Sequence, residues 1–475
     1  MMNIARNSVN RFLAAIFVSA KLVAFSYAVG GAQPAMAGGF TACEQPFIFE
    51  GSAANIVPLE YVATSVDRTA IETERSEKLQ ETARRLSWLF KLDSWHQATY
   101  GSLGVVAHMF LGQVCEADEV LQELLLGRSG LPVRKDQILI ILHGRIFIED
   151  GQIFVQSQVS GFRRRSHPDE FVMPLAANFA SETLSVHLAA SDKSLFVSLP
   201  VLDMTFAPRV ISEDLFDRID ATFLEASRVF TRPDLDAPSD ELLFQPGRPR
   251  AFSVRITDEP GWIEIEDRFG GHPDRGFIRV NPEASGLFHR NLPELDFLNG
   301  LLGFLRVQQV RNSTDFTPTH DRAALQTMNA FERYLGNDLT AYEPEVRALA
   351  NGLVGFVKAS ELNDWPGARK AFLRAAELAP TDTHYRNALG VTDAVLCCVD
   401  VGSSPYRDPT RWFADAVSVD PKNGEALGNM LHFLEFLSSA EEPPENINVS
   451  NLPRTLEVVR KVAEQNPDLI RGGLD

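Results

Sequence analysis

The sequence predicts a multidomain chain: an α/β or α+β amino-terminal module, a small β unit, and an all-α carboxy-terminal array. Three observations carry this prediction. Strand-like apolar runs separated by turn signals dominate the first 280 residues or so, whereas from Leu292 onward apolar residues recur at three- and four-residue spacing. Between the two β-containing parts, Thr231 to Pro249 places Pro233, Pro238, Pro246 and Pro249 among Asp and Ser residues, the pattern of a linker. The resulting boundaries are 38–232, a linker at 233–249, a β unit at 250–290 and helices over 291–475.

Composition narrows the classes of function. The 475 residues carry 45 Lys and Arg against 63 Asp and Glu, a formal charge of -18, with 45% apolar and 23% charged residues. That is too apolar for a disordered chain and too interrupted for a polytopic membrane protein. A chain this acidic is unsuited to neutralising phosphates, which needs clustered Lys and Arg, so nucleic acid is excluded as a partner.

Residues 1–37 hold Arg6, Arg11 and Lys21 and no acid, then the apolar run from Phe12 to Ala20, and end in Ala35-Met36-Ala37. This is the order of a secretory signal peptide, with cleavage expected after Ala37 and a periplasmic or secreted mature protein. Loss of those three cations takes the charge from -18 to -21. Leu22 to Ala28 prolongs the apolar run, so the alternative is a retained membrane anchor, the one route to membrane contact. Phe40-Thr-Ala-Cys43 distantly resembles a lipobox.

In the amino-terminal module, Asn55 to Val62 reads as a strand. A helix over 72–90 follows, with Leu79, Ala83, Leu86 and Phe90 on one stripe, then a second helix at 118–126. Ile138 to Ile148, Asp150-Gly151, and Gln152 to Val159 form a hairpin, because Asp-Gly supplies the positive φ angles of a tight turn. The continuously apolar first arm is expected at the centre of its sheet. Ser212 is the expected cap of a helix over 213–230. The hairpin around Gly144, Arg145, Asp150 and Gly151 resembles the amino-terminal domain of TolB-like and FlgO-like periplasmic proteins. That resemblance implies an envelope assembly module over about 46–165, without chemistry of its own.

In the β unit, Phe252, Val254 and Ile256 alternate, Asp258 to Gly261 turns, Trp262 to Ile265 makes a second strand, and Gly276 to Val280 a third. A Gly-Trp strand with a closing Gly-Phe-Ile strand resembles bacterial SH3-like domains. The resemblance implies a small β-barrel that binds peptide or cell wall, with Trp262 and Phe277 as contact aromatics or, alternatively, as core.

Helices are expected at 293–310, 317–336, 343–362, 364–378, 383–398, 409–419, 423–438 and 452–466. Ala368, Phe372, Ala375 and Pro380 are echoed by Phe413, Ala416 and Pro421. These spacings resemble tetratricopeptide repeats, with an insertion near Gly402 to Pro405. The resemblance implies a solenoid whose first helices line a concave surface, here about Asn351 to Leu362, Tyr385 to Leu396 and Leu427 to Phe436.

Catalytic and metal-binding signatures are missing. The ten histidines form no H-E-x-x-H pair, and C-x-x-C and G-x-S-x-G are absent. Glu264, Glu266, Asp267, His272 and Asp274 make the densest acidic and histidine cluster, most simply a charged strand face. Arg163-Arg164-Arg165 is the sole basic run. Cys43 and Cys115 are the expected disulfide, whereas Cys397 and Cys398 read as two small apolar core residues, a redox switch being the alternative.

The chain is therefore expected to be a non-enzymatic scaffold of the cell envelope, without cofactor or metal, that binds a protein partner through its helices. The expected contact residues are Tyr385, Asn387, Asn429 and His432. Peptidoglycan or peptide binding through Trp262 and Phe277 is the alternative, and an unrecognised enzyme in the first module, around His143 and Arg145, is the third reading.

Overall fold

An unbroken apolar run suits a strand with neighbours on both sides, and Ile138-Leu-Ile-Ile-Leu142 opens such a strand. The structure is a computed structural model that describes residues 138–164, 172–174, 184–188, 193–241, 252–267, 276–280, 282–311, 318–398, 408–440 and 450–467. It also describes 54–58, 61–65, 105–107, single positions between 79 and 89, and 447. All belong to the second of two units, 42–475. The expected signal segment with its cleavage site, Cys43, Cys115 and the helix at 118–126 lie outside the described residues.

Strands β1 (Ala54–Pro58), β2 (Val62–Ser65), β3 (Val105–Ala107), β4 (Ile138–Glu149) and β5 (Gln152–Arg164) build the main sheet. The β4–β5 hairpin is antiparallel along its whole length, and both turn residues, Asp150 and Gly151, have positive φ, as Asp-Gly predicts. On its other edge β4 pairs in parallel with β1 and β2, and β1 pairs in parallel with β3. Beyond β5 lie β6 (Val172–Pro174), β9 (Asp203–Thr205) and β10 (Arg209–Ile211), all antiparallel to it. At the helical positions between 79 and 89, Leu79, Ala83, Leu86 and Leu89 are buried.

Strands β7 (Leu184–His187) and β8 (Ser194–Val197), not anticipated from the sequence, pair only with each other among the described residues. Helix α1 (Glu213–Ala226) starts on Ser212, whose Oγ accepts from Leu215 N at 3.2 Å, and stops four residues before the expected end. The residues after it, β11 (Arg228–Phe230), are recruited into a second sheet.

That sheet corrects the expectation of an SH3-like barrel. Among the described residues it is open and antiparallel, in the order β12 (Ser239–Glu241), β11, β15 (Gly276–Arg279), β14 (Trp262–Asp267), β13 (Phe252–Ile256). The three local strands match the sequence reading, but β11 and β12 extend the sheet instead of its edges closing on each other. The expected linker at 233–249 is, in its described part, the turn and second arm of the β11–β12 hairpin, where Thr231 N donates to Pro238 O at 3.0 Å.

The helices are α2 (Pro282–Asn291), α3 (Glu294–Arg311), α4 (Pro318–Gly336), α5 (Pro344–Ser360), α6 (Trp365–Leu378), α7 (Thr383–Cys398), α8 (Pro409–Val419), α9 (Gly424–Ser439) and α10 (Leu452–Gln465). From α3 onward consecutive helices pack as pairs. Asp364, Asp408 and Asn423 cap α6, α8 and α9, each accepting a main-chain N–H of the first turn. A second correction concerns Cys397 and Cys398, which form a vicinal disulfide. The bridge sits where α7 ends, so the helix need not continue past it.

One contiguous apolar core joins Ile140, Val155 and Phe206 of the main sheet, Ile263 and Ile278 of the second sheet, and Phe304, Phe356, Phe372 and Phe413 of the helices. No helix among the described residues is long and apolar enough to cross a membrane.

Candidate functional site

Polar side chains on an apolar helix face must find partners, because an unsatisfied buried donor or acceptor costs about 1–3 kcal/mol. Asn387 on α7 and Asn429 on α9 are such residues, both fully buried. Their partner is β8. Asn429 Oδ1 accepts from Phe196 N at 2.8 Å and Asn429 Nδ2 donates to Phe196 O at 2.6 Å, so one amide reads both main-chain groups of one residue. Asn387 Nδ2 donates to the same Phe196 O at 3.1 Å, and its Oδ1 accepts from Asn429 Nδ2 at 2.9 Å.

The same pattern continues along the strand at alternate residues. Ser198 N donates to Glu425 Oε1 at 3.0 Å, and His432 Nδ1, protonated at that nitrogen, donates to Ser194 O at 2.8 Å. Lys193 Nζ lies 3.6 Å from Glu435 Oε2. The residues in between turn the other way: Leu195, Val197 and Leu199 are buried. Residue 352 is glycine because Leu199 and the Tyr385 ring close over it; a Cβ there would lie 2.7 Å from Tyr385 Cε1 and 3.2 Å from Leu199 Cδ2. The pair α7 and α9 thus clamps an extended segment, with amides on its main chain and an apolar floor under alternate side chains.

Burial raises the Glu425 carboxyl above its usual range, opposed by hydrogen bonds from Ser198 and Asn387 and by the charge of His384. His384 is itself raised: burial disfavours its charge, but the Asp382 carboxylate at 2.8 Å outweighs that.

All four helical contact residues expected from sequence therefore stand near β8, three bonded to its main chain and Tyr385 packed with Leu199 over Gly352. What sequence reasoning missed is that this surface is occupied by the same chain. The two aromatics expected to contact ligand are elsewhere. Trp262 is 5% exposed and packs edge-on against Phe230 at 5.1 Å, with the Arg279 guanidinium 5.4 Å from its ring. Phe277 lies partly buried against the same cluster. Trp262 is thus a core residue, which corrects its expected role.

A second polar constellation joins the main sheet to the helices. Arg209 of β10 is buried between Glu294, the first residue of α3, and Glu343, the cap of α5. Glu343 accepts from Arg209 Nη2, from Ala207 N at 2.6 Å and from Tyr334 Oη at 2.7 Å. Glu294 Oε1 accepts from Ser157 Oγ at 2.9 Å, and Ser157 accepts from Tyr61 Oη at 2.8 Å. Glu294 Oε2 and Arg209 Nε, 4.0 Å apart, make no hydrogen bond. Burial is the main reason the Glu294 carboxyl is pushed up to about 7, with Arg209 acting against it. Burial likewise raises the Tyr61 and Tyr334 phenols. A perturbed carboxyl beside Ser and Tyr has the composition of a reactive site, and every member of this one is buried in the seam between strands and helices.

Arg145 of the third reading donates to Gln156 Oε1 at 2.9 Å and lies over the Phe147 ring. The side chains of Arg163 to Arg165, Glu266, Asp267, His272 and Asp274 lie outside the described residues. Among the described residues no group of three or more His, Cys, Asp or Glu is arranged to hold a metal ion. Comparison with known protein families, with curated proteins and with solved structures finds no match to this chain.

Proposed function

We propose that this protein is a non-enzymatic scaffold of the periplasm or cell envelope that binds another polypeptide through helices α5–α10, read as tetratricopeptide-like pairs. The observation that supports this best is Asn429, which takes both the N–H and the C=O of Phe196, with Asn387, Glu425 and His432 extending the contact to residues 194, 196 and 198. Contacts made to main chain tolerate many side-chain sequences, and this is how a groove selects an extended conformation. The amino-terminal sheet, read as an envelope assembly module, adds no chemistry to this proposal. Export rests on the charge and apolar order of residues 1–37.

The test is crosslinking of the tagged full-length protein in its own cells, followed by identification of the crosslinked peptides. The expected result is a set of crosslinks from residues 343–467 to one dominant envelope protein. Crosslinks that are all internal, from a protein that sediments with the cell wall, would overturn the reading in favour of glycan binding.

A further inference from the structure

We propose that β8 is a ligand held in cis, and that the groove's partner is an extended segment of another polypeptide that enters by replacing it. This rests on the groove reading above and specifies the segment. Residues 193–199 define its pattern: a basic residue opposite Glu435, then aliphatic residues at every second position, as Leu195, Val197 and Leu199 are here. Main-chain groups at three alternate residues complete the recognition: a C=O for His432, an N–H and C=O for Asn429, and an N–H for Glu425.

Two features make β8 exchangeable. It pairs only with β7 among the described residues, and an isolated two-stranded hairpin is marginal in water, so the groove holds it in place. Its hydrogen bonds to α7 and α9 fall on main chain, apart from an added contact of the Ser198 hydroxyl with Glu425, so an incoming strand of the same alternation remakes them. The obstacle is tethering: a segment in the same chain competes at an effective concentration on the order of millimolar. Weakening the cis strand therefore exposes binding that the wild type conceals.

The experiment uses the full chain and a fluorescent peptide with the sequence of residues 193–200, Lys-Ser-Leu-Phe-Val-Ser-Leu-Pro. Phe196→Pro removes the N–H that Asn429 reads, a group that points away from β7 and so contributes nothing to the hairpin. The variant should bind the peptide at least about tenfold tighter than the wild type, because the tethered competitor is weakened. Adding Asn429→Ala should abolish that binding. Independently of the variant's folding, saturating peptide should speed amide exchange of β8 in the wild-type chain while α7 and α9 stay protected. The proposal is overturned if the peptide binds neither protein, or both equally, and β8 exchanges no faster than α7 and α9. In that case crosslinks from the helices to an envelope partner would still uphold the scaffold reading on another surface. Their absence alongside peptide exchange would remove the scaffold reading and leave the exchange standing.

Discussion

Among the described residues, two polar junctions between the amino-terminal strands and the helical array are built from opposite materials. At the seam, a buried Arg209 is shared by two carboxylates, Glu294 and Glu343, and the phenols and hydroxyls around it are buried. In the groove, neutral amides from Asn387 and Asn429 do the main work, aided by Glu425 and His432, and they bind main chain. Buried charges lose hydration on folding and recover it only through partners in fixed positions, so breaking one leaves the others stranded. Amides lose far less, and an extended segment of the same alternation can replace their partner. The seam is therefore suited to permanent attachment and the groove to exchange.

The largest effect should come from the seam. Arg209→Met should lower the unfolding free energy by about 3–5 kcal/mol in urea titration, because Glu294 and Glu343 lose their shared cation. A loss below about 1 kcal/mol would put the seam on a par with surface pairs and erase the contrast.

Next is the pH response. The folded-state value of Glu294, about 7, lies above its ordinary 4.5, so between those values the folded chain keeps a proton that the unfolded chain has released. Raising the pH from 4.5 to 7 should therefore cost about 3 kcal/mol of stability, complete above pH 7. In Glu294→Gln this part of the slope should vanish, as read from urea midpoints at each pH. An unchanged slope would remove Glu294 as its source.

Asn429→Ala should cost about 2 kcal/mol, the price of two hydrogen bonds and a stranded Phe196 amide. It should also speed hydrogen exchange at β8 and leave the β4–β5 hairpin unchanged. Equal acceleration at both would mean that groove and seam open together. The smallest change is expected for Glu425→Gln, about 1 kcal/mol or less, since the new amide oxygen still accepts from Ser198 N. Its raised carboxyl has the same sign as Glu294, so the substitution should also flatten the loss of stability above the ordinary carboxylate range.

Much of this fold follows from local pattern. The last eight helices fall within two residues of their expected ends, because each has an apolar stripe of helical period and most begin at an Asp, Asn or Pro. The β4–β5 turn follows from Asp150-Gly151. Asn387 and Asn429 fall in the stretches expected to line the repeat surface, and the structure shows them as buried amides on otherwise apolar helix faces. By contrast, Arg209, Glu294 and Glu343 carry no signal of their union: two lie at helix starts, where carboxylates are common whatever they touch. Strand β8 is four residues long, too short for a period, and its outer partners are side chains more than 190 residues away.

The sequence by itself determined the helical array, the central hairpin and the local strands of the second sheet. Those features depend on spacing within a few turns of chain, and the physical rules for them are local. Tertiary structure alone decided that the second sheet stays open by recruiting β11 and β12, that Trp262 packs inward, that Arg209 joins two distant carboxylates, and that β8 fills the groove. Each of these is a pairing between segments far apart in sequence. Hydrogen-bond and charge complementarity between such segments exists only once the intervening chain has folded.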